Sequence, residues 1–214
     1  AKLTLGPVLF NWKAEDWRDF YFRIADEADV DTVYVGEAVC SKRAPFYAPY
    51  IADVVERLQG AGKEVVLTTL ALIMNSREMK ALRETAEDSD LLVEANDVSA
   101  CALLAGRSYV IGPYVNVYNE GTLNYFSERG AMRVCLPVEL GRDAMTALTA
   151  SNDVALEVQV FGRLSLAVSA RCYHARAHML HKDSCQFVCE LDPDGMELDT
   201  LDHEPFLVVN GTQT

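Results

Sequence analysis

No stretch of this sequence approaches the roughly 20 apolar residues that a membrane-spanning helix needs. The first ten residues, AKLTLGPVLF, have too short an apolar run and no processing site, so a secretory leader is not expected. Positive charge is scarce: 19 Lys and Arg stand against 32 Asp and Glu, for a net charge of −13. A chain of that sign repels phosphate, which excludes nucleic acid as a partner class. The nucleotide motifs are missing too. QGAGKEVV, residues 59–66, has the look of a phosphate loop, but it runs from helix to loop to strand, the reverse of the required order. No G-x-G-x-x-G follows the first strand, and no G-x-S-x-G elbow marks a serine nucleophile. No two of the six cysteines form a CxxC knuckle. With neither leader nor span, the chain is expected in the cytoplasm. There its cysteines are expected as ligands or buried thiols, not as disulfides.

What is present suits one sizeable folded domain: 214 residues, half of them apolar. Nearly continuous apolar runs at 3–9, 32–35, 64–70, 91–94, 109–117, 132–138 and 155–161 read as strands buried on both faces. Helix-period segments lie between them at 14–28, 49–58, 76–87, 97–105, 121–129 and 142–151. Asn75 and Ser76 before Glu78, and Asn96 with Asp97, give start signals. Gly60, Gly106 and Gly130 give stops. Repeated βα units predict an α/β fold with a parallel sheet, of the TIM-type (β/α)8 barrel class and incomplete at the C-terminus. After residue 161 the pattern breaks into the short apolar run LSLAVSA, a cysteine-rich and acidic insertion at 172–205, and a last strand-like run at 206–209. From Cys185 onward there are seven Asp or Glu and no Lys or Arg, a charge pattern that suits a solvated acidic loop.

A barrel places its site in the loops after the strands. Those loops are 11–13, 37–43, 94–97, 118–120, 139–142 and the stretch after Phe161. Glu37, Glu94 and Glu139 each follow a strand, either aimed into a site or complementing a helix start. Asn116, Tyr118 and Asn119 are candidates to line a substrate site.

The densest signal is RCYHARAHMLHKDSCQFVCELD, residues 171–192. It holds C-x12-C-x3-C and three of the four histidines. Cys172, Cys185 and Cys189 supply three thiolates, and Cys40, in the loop GEAVCSKR after the second strand, is placed to supply a fourth. Four thiolates on one mouth suit a [4Fe–4S] cluster. The anionic core would gain from nearby cations, and Lys42, Arg43, Arg171, Arg176 and Lys182 flank these cysteines. A Cys3His zinc site is the rival, using Cys172, Cys185 and Cys189 with His174, His178 or His181. Unligated thiols are the third reading, and solvated polar positions are the plain reading of the histidines. Cys101, in SACALLAG, and Cys135, in MRVCLPV, read as small buried hydrophobes.

LGPVLFNW, VYVGEAVCSKR, VLTTLAL, LVEANDV, RVCLPVELGRD, SLAVSARC and VVNGTQT occur in that order. This series resembles the ubiquinone-biosynthesis branch of the collagenase-like peptidase family, almost from end to end. The resemblance implies a [4Fe–4S] cluster held by Cys40, Cys172, Cys185 and Cys189. It also implies a heterodimer with a UbiU-like paralogue and O2-independent hydroxylation of the ring of a ubiquinone precursor, with prephenate as oxygen donor. The peptidase-family signature runs approximately E-V-F-I-H-G-x-L-C-x-x-x-S-G-x-C. Here residues 157–172 read EVQVFGRLSLAVSARC, with Phe161 in the place of His and Ser165 in the place of Cys. That departure argues against proteolysis. Chains of that branch continue past NGTQT for another helix and a final strand, so the first and seventh strands are expected to need covering.

Overall fold

The computed structural model describes residues 1–214, with the side chain of Asp88 left out. The chain divides into two compact units. The first joins Ala1–Val65 to Arg163–Thr214, and the second is Val66–Gly162.

The strands β1 (Thr4–Leu5), β2 (Thr32–Gly36), β3 (Glu64–Thr68), β4 (Leu92–Ala95), β5 (Tyr109–Ile111), β6 (Ala131–Cys135) and β7 (Ala155–Glu157) form one seven-stranded sheet in sequence order. A helix follows each of the first six: α1 (Ala14–Glu27), α2 (Ala44–Gly60), α3 (Ser76–Asp88), α4 (Val98–Leu104), α5 (Glu120–Ser127) and α6 (Arg142–Ser151). Sequential parallel order with a helical crossover at each step is the strand order of a (β/α) barrel wall, one strand short of eight.

In the first unit, Trp17, Tyr21 and Ala25 recur every four residues on α1 and are buried beside Tyr47, Val54 and Leu58 of α2. Trp17 stacks on Tyr47 at 5.0 Å between ring centroids. Large side chains of this kind each contribute about 1.5–3 kcal/mol by leaving water. The second unit closes on Val93, Leu104, Ile111, Leu123, Val134, Leu136 and Leu148. Its helix starts follow the sequence signals. The Asn75 side chain accepts the Glu78 N–H at 3.0 Å, and Glu78 returns a bond from the Met74 N–H at 2.7 Å. Asp97 accepts the Ser99 N–H at 2.8 Å.

Several boundaries differ from the sequence reading, three of them at proline. β1 covers two residues of the expected seven, because Pro7 has no N–H for a ladder. β5 ends at Ile111, before Gly112-Pro113. α2 begins at Ala44, five residues early, since Pro45 sits in the first turn where a missing N–H costs nothing.

Arg163–Thr214 builds a second sheet, antiparallel, in the order β8 (Ala167–Val168), β11 (Thr212–Gln213), β10 (Pro205–Asn210), β9 (Met196–Asp199). The apolar runs at 164–170 and 206–209 serve this sheet. Between β8 and β9 lie α7 (Tyr173–Ala177) and two 3-10 turns, Lys182–Ser184 and Val188–Leu191. Among the described residues, no helix is long and apolar enough to cross a membrane.

Candidate functional site

β2 delivers the chain into the loop that carries Cys40. Its shape is held by Glu37, whose Oε1 accepts the backbone N–H groups of Val39 at 2.7 Å and Cys40 at 2.9 Å. Glu37 is therefore a scaffold for the loop, neither a helix-start acid nor an open carboxylate. Burial raises its pKa, against the pull of Arg43 and the two N–H groups.

The other three thiols come from the segment between β8 and β9. Cys172 caps α7 and accepts the Ala175 N–H at 3.5 Å. Cys185 and Cys189 flank the turn at 186–187, where Gln186 and Phe187 both hold positive φ. All four cysteines line one cavity in the first unit. Lys42, Arg43 and Lys182 line it with them. All six cysteines of the chain are free thiols.

The donors around these sulfurs are cationic or N–H groups. Lys42 Nζ lies 3.7 Å from Cys185 Sγ and also donates to the carbonyls of Lys182 at 2.7 Å and Asp183 at 2.9 Å. Asn11 Nδ2 donates to Cys189 Sγ at 3.2 Å. Arg43 is 1% exposed. Its Nη1 donates to Leu9 O at 2.9 Å and its Nη2 to Asn210 O at 2.6 Å and Asn210 Oδ1 at 2.8 Å, while its Nε finds no partner. Burial pushes the Cys40 and Cys189 thiols up, and Arg43 acts against burial at both. Arg171 and Arg176, the other flanking cations, are exposed and do not line the cavity.

Asn210 joins these parts, and the sequence reading missed it. Its Nδ2 donates to Cys189 O at 2.9 Å and Asp192 O at 2.7 Å, and its Oδ1 accepts the Asn11 N–H at 2.8 Å. The signal was present in NG at 210–211, a turn dipeptide. Gly211 sits at φ +79°, and a Cβ there would lie 2.5 Å from Arg43 Nη2.

The remaining candidates lie in the second unit. Glu94 is buried and accepts from the Thr68 hydroxyl and from Asn96 Nδ2, the latter at 2.8 Å. Burial raises its pKa to about 7. Glu139 is exposed and accepts the Tyr118 hydroxyl, which holds its pKa low. Asn119 is spent capping α5, and Asn116 is exposed. Cys101 is buried and Cys135 half-buried. Burial pushes both thiols up to about 12, and neither lines the cavity. At the positions of the peptidase-signature His and Cys, Phe161 is 94% exposed, and the Ser165 hydroxyl pairs with that of Thr212 at 2.8 Å.

The sequence matches the family described as Peptidase family U32 over residues 16–199. The chain belongs to that family. Among solved structures, the U32 chain is similar to dihydropteroate synthase (FolP) from Thermus thermophilus. The TM-score is 0.40 at 17% identity, over 70% of this chain and 65% of that one.

The donor set of the U32 chain at this cavity is four thiols with cationic and N–H neighbours. A single tetrahedral metal at about 2.3 Å from each sulfur would hold its thiolates about 3.8 Å apart. Among the described residues, no three cysteine sulfurs lie within 4.8 Å of one another. Such donors are the kind that would hold an anionic iron–sulfur core.

Proposed function

We propose that this chain is the UbiV-type iron–sulfur subunit of an O2-independent hydroxylase that acts on the ring of ubiquinone precursors, in partnership with a UbiU-like paralogue. The observation that carries the proposal is the convergence of Cys40, Cys172, Cys185 and Cys189 on one cavity. The ordered series of motifs, from LGPVLFNW to VVNGTQT, supports the ubiquinone branch within the family.

In this reading the four thiolates hold a [4Fe–4S] cluster, which supplies one-electron redox chemistry when bound. The chain's own residues do the rest. Lys42 and Arg43 offset the negative charge of the thiolates. Asn11 donates to one sulfur and steadies its orientation. Arg43 and Asn210 tie the Cys40 loop to the segment holding the other three cysteines. The oxygen donor, prephenate in this reading, and the quinone precursor are small-molecule partners of the assembled pair.

The deciding measurement is an anaerobic absorption spectrum with iron and sulfide counts, on the wild type and on Cys40→Ala. The expected result is a broad violet-to-brown band with iron and sulfide near four per chain, lost in the variant. Zinc without iron, unaffected by Cys40→Ala, would make the metal local to residues 172–189. The chain would then be a non-catalytic scaffold for its paralogue.

A further inference from the structure

His174, His178 and Asp192 each present one ligand atom within 4.8 Å of the others, and of the three only His174 also lines the cysteine cavity. His174 is fully buried, while the His178 and Asp192 side chains are about one-third exposed, so solvent reaches the group from one side. The two imidazoles lie nearly parallel, 19° apart, as the spacing of four along α7 and its cap dictates.

The tautomer of His174 is fixed by its neighbour. Its Nδ1 lies 3.0 Å from the Val209 carbonyl, which can only accept. Nδ1 therefore carries the hydrogen, and in the neutral ring Nε2 holds a bare lone pair. That atom faces Asp192 Oδ2 at 3.1 Å, an ion pair when the ring is protonated, and among the described residues it makes no well-aligned hydrogen bond. At this separation the two atoms share either a proton, as an imidazolium–carboxylate pair, or a metal ion. A backbone carbonyl on the far ring nitrogen is the usual support of a metal-ligating histidine. Asp192 is anchored from behind, its carbonyl accepting from Asn210 Nδ2 at 2.7 Å and from the Gly195 N–H at 2.8 Å.

We propose that His174, His178 and Asp192 form a second metal site, a two-histidine, one-carboxylate set for a divalent transition ion such as Zn2+ or Fe2+. Metal–ligand bonds of about 2.0–2.2 Å set ligand atoms roughly 3–3.5 Å apart. The His174–Asp192 pair already meets that spacing. The exposed His178, with its Nε2 4.0 Å from the carboxylate, closes by a small side-chain shift. Three protein ligands leave a position open toward solvent for water or a small oxygen ligand. The proposal stands on its own geometry and does not depend on the cluster.

The test is a Co2+ titration of the whole, anaerobically purified chain, followed by visible absorption. The expected spectrum has weak bands of nitrogen and oxygen ligation, without an intense thiolate-to-cobalt band in the near ultraviolet. His178→Ala, at an exposed position where folding is not at risk, and Asp192→Asn each weaken Co2+ binding at least tenfold, by order of magnitude. Cys185→Ser leaves the weak bands in place, so loss of the cluster and loss of this site are read separately. A thiolate band would put the cobalt on the cysteines and overturn the proposal. Binding unchanged in both variants would overturn it as well. No binding would reduce the pair to a buried imidazolium–carboxylate contact.

Discussion

Glu94 shows what burial does to one carboxyl group. Its oxygens sit among Thr68, Asn96 and the apolar interior of the second unit, and its pKa rises to about 7 from 4.5. In the unfolded chain the group ionises near 4.5, while in the folded chain it holds its proton until near 7. The folded state therefore binds the extra proton between those values, and stability falls as pH rises through that window. Glu94→Gln keeps an acceptor for Thr68 and Asn96 but removes the titration. Relative to wild type, the variant is expected to gain about 2–3 kcal/mol between pH 4.5 and 7.5, measured by urea unfolding across that range. A flat difference would mean that Glu94 does not titrate there. In the sequence Glu94 was only an acid after a strand. Its burial depends on Thr68, 26 residues earlier, which no local pattern reveals.

At the scale of elements, the β10–β11 hairpin positions the site. The turn at Asn210-Gly211 brings the Asn210 side chain to Cys189, Asp192 and Arg43, and Gly211 leaves room for the guanidinium. Gly211→Ala meets two obstacles, the left-handed φ of +79° and the close approach of Arg43. Arg43 cannot swing aside, since three carbonyl or amide oxygens hold it. The substitution is expected to cost about 2 kcal/mol or more, with a fall in iron bound per chain. Urea midpoints and metal analysis on the same preparation check both. Most of the sheet was legible because strands buried on both faces read as unbroken Val, Ile and Leu, and the caps at Asn75 and Asp97 stood where side-chain oxygens precede a helix. The antiparallel sheet was not legible. β8 and β11 are two residues each and pair residues far apart in the chain, Val168 with Thr212 and Ala167 with Gln213, and nothing local marks such pairing. The cysteine positions could be read from spacing. Asn11, Asn210 and the His174–Asp192 pair depend on distant contacts.

For the whole molecule, the two compact units have separate reasons to fold. The second closes on its own apolar core, from Leu82 to Leu148. The first depends on a segment, 172–199, with few large buried side chains: His174, Ala175, Cys185 and Cys189 are its buried residues. A segment so thin in apolar burial gains most from a bound metal group. Hydrogen exchange on Cys185→Ser against wild type, both anaerobic, is expected to lose protection in the Cys40 loop, residues 37–43, and around residues 182–191. β4, β5 and β6 should keep theirs. Uniform loss along the chain would show that the thiols stabilise no particular part of it.

The hydrogen bond from the Asn11 N–H to Asn210 Oδ1 spans 199 positions, and Cys40 meets its three companion thiols only when Cys189 is in place. This has a consequence for biosynthesis. While the ribosome is still adding residues, the cavity has one cysteine and neither of its two asparagine braces joined. The site cannot be completed before Asn210 has been made. Loading of any cofactor there waits for that residue, and until then the three sulfurs of residues 172–189 lack their asparagine braces.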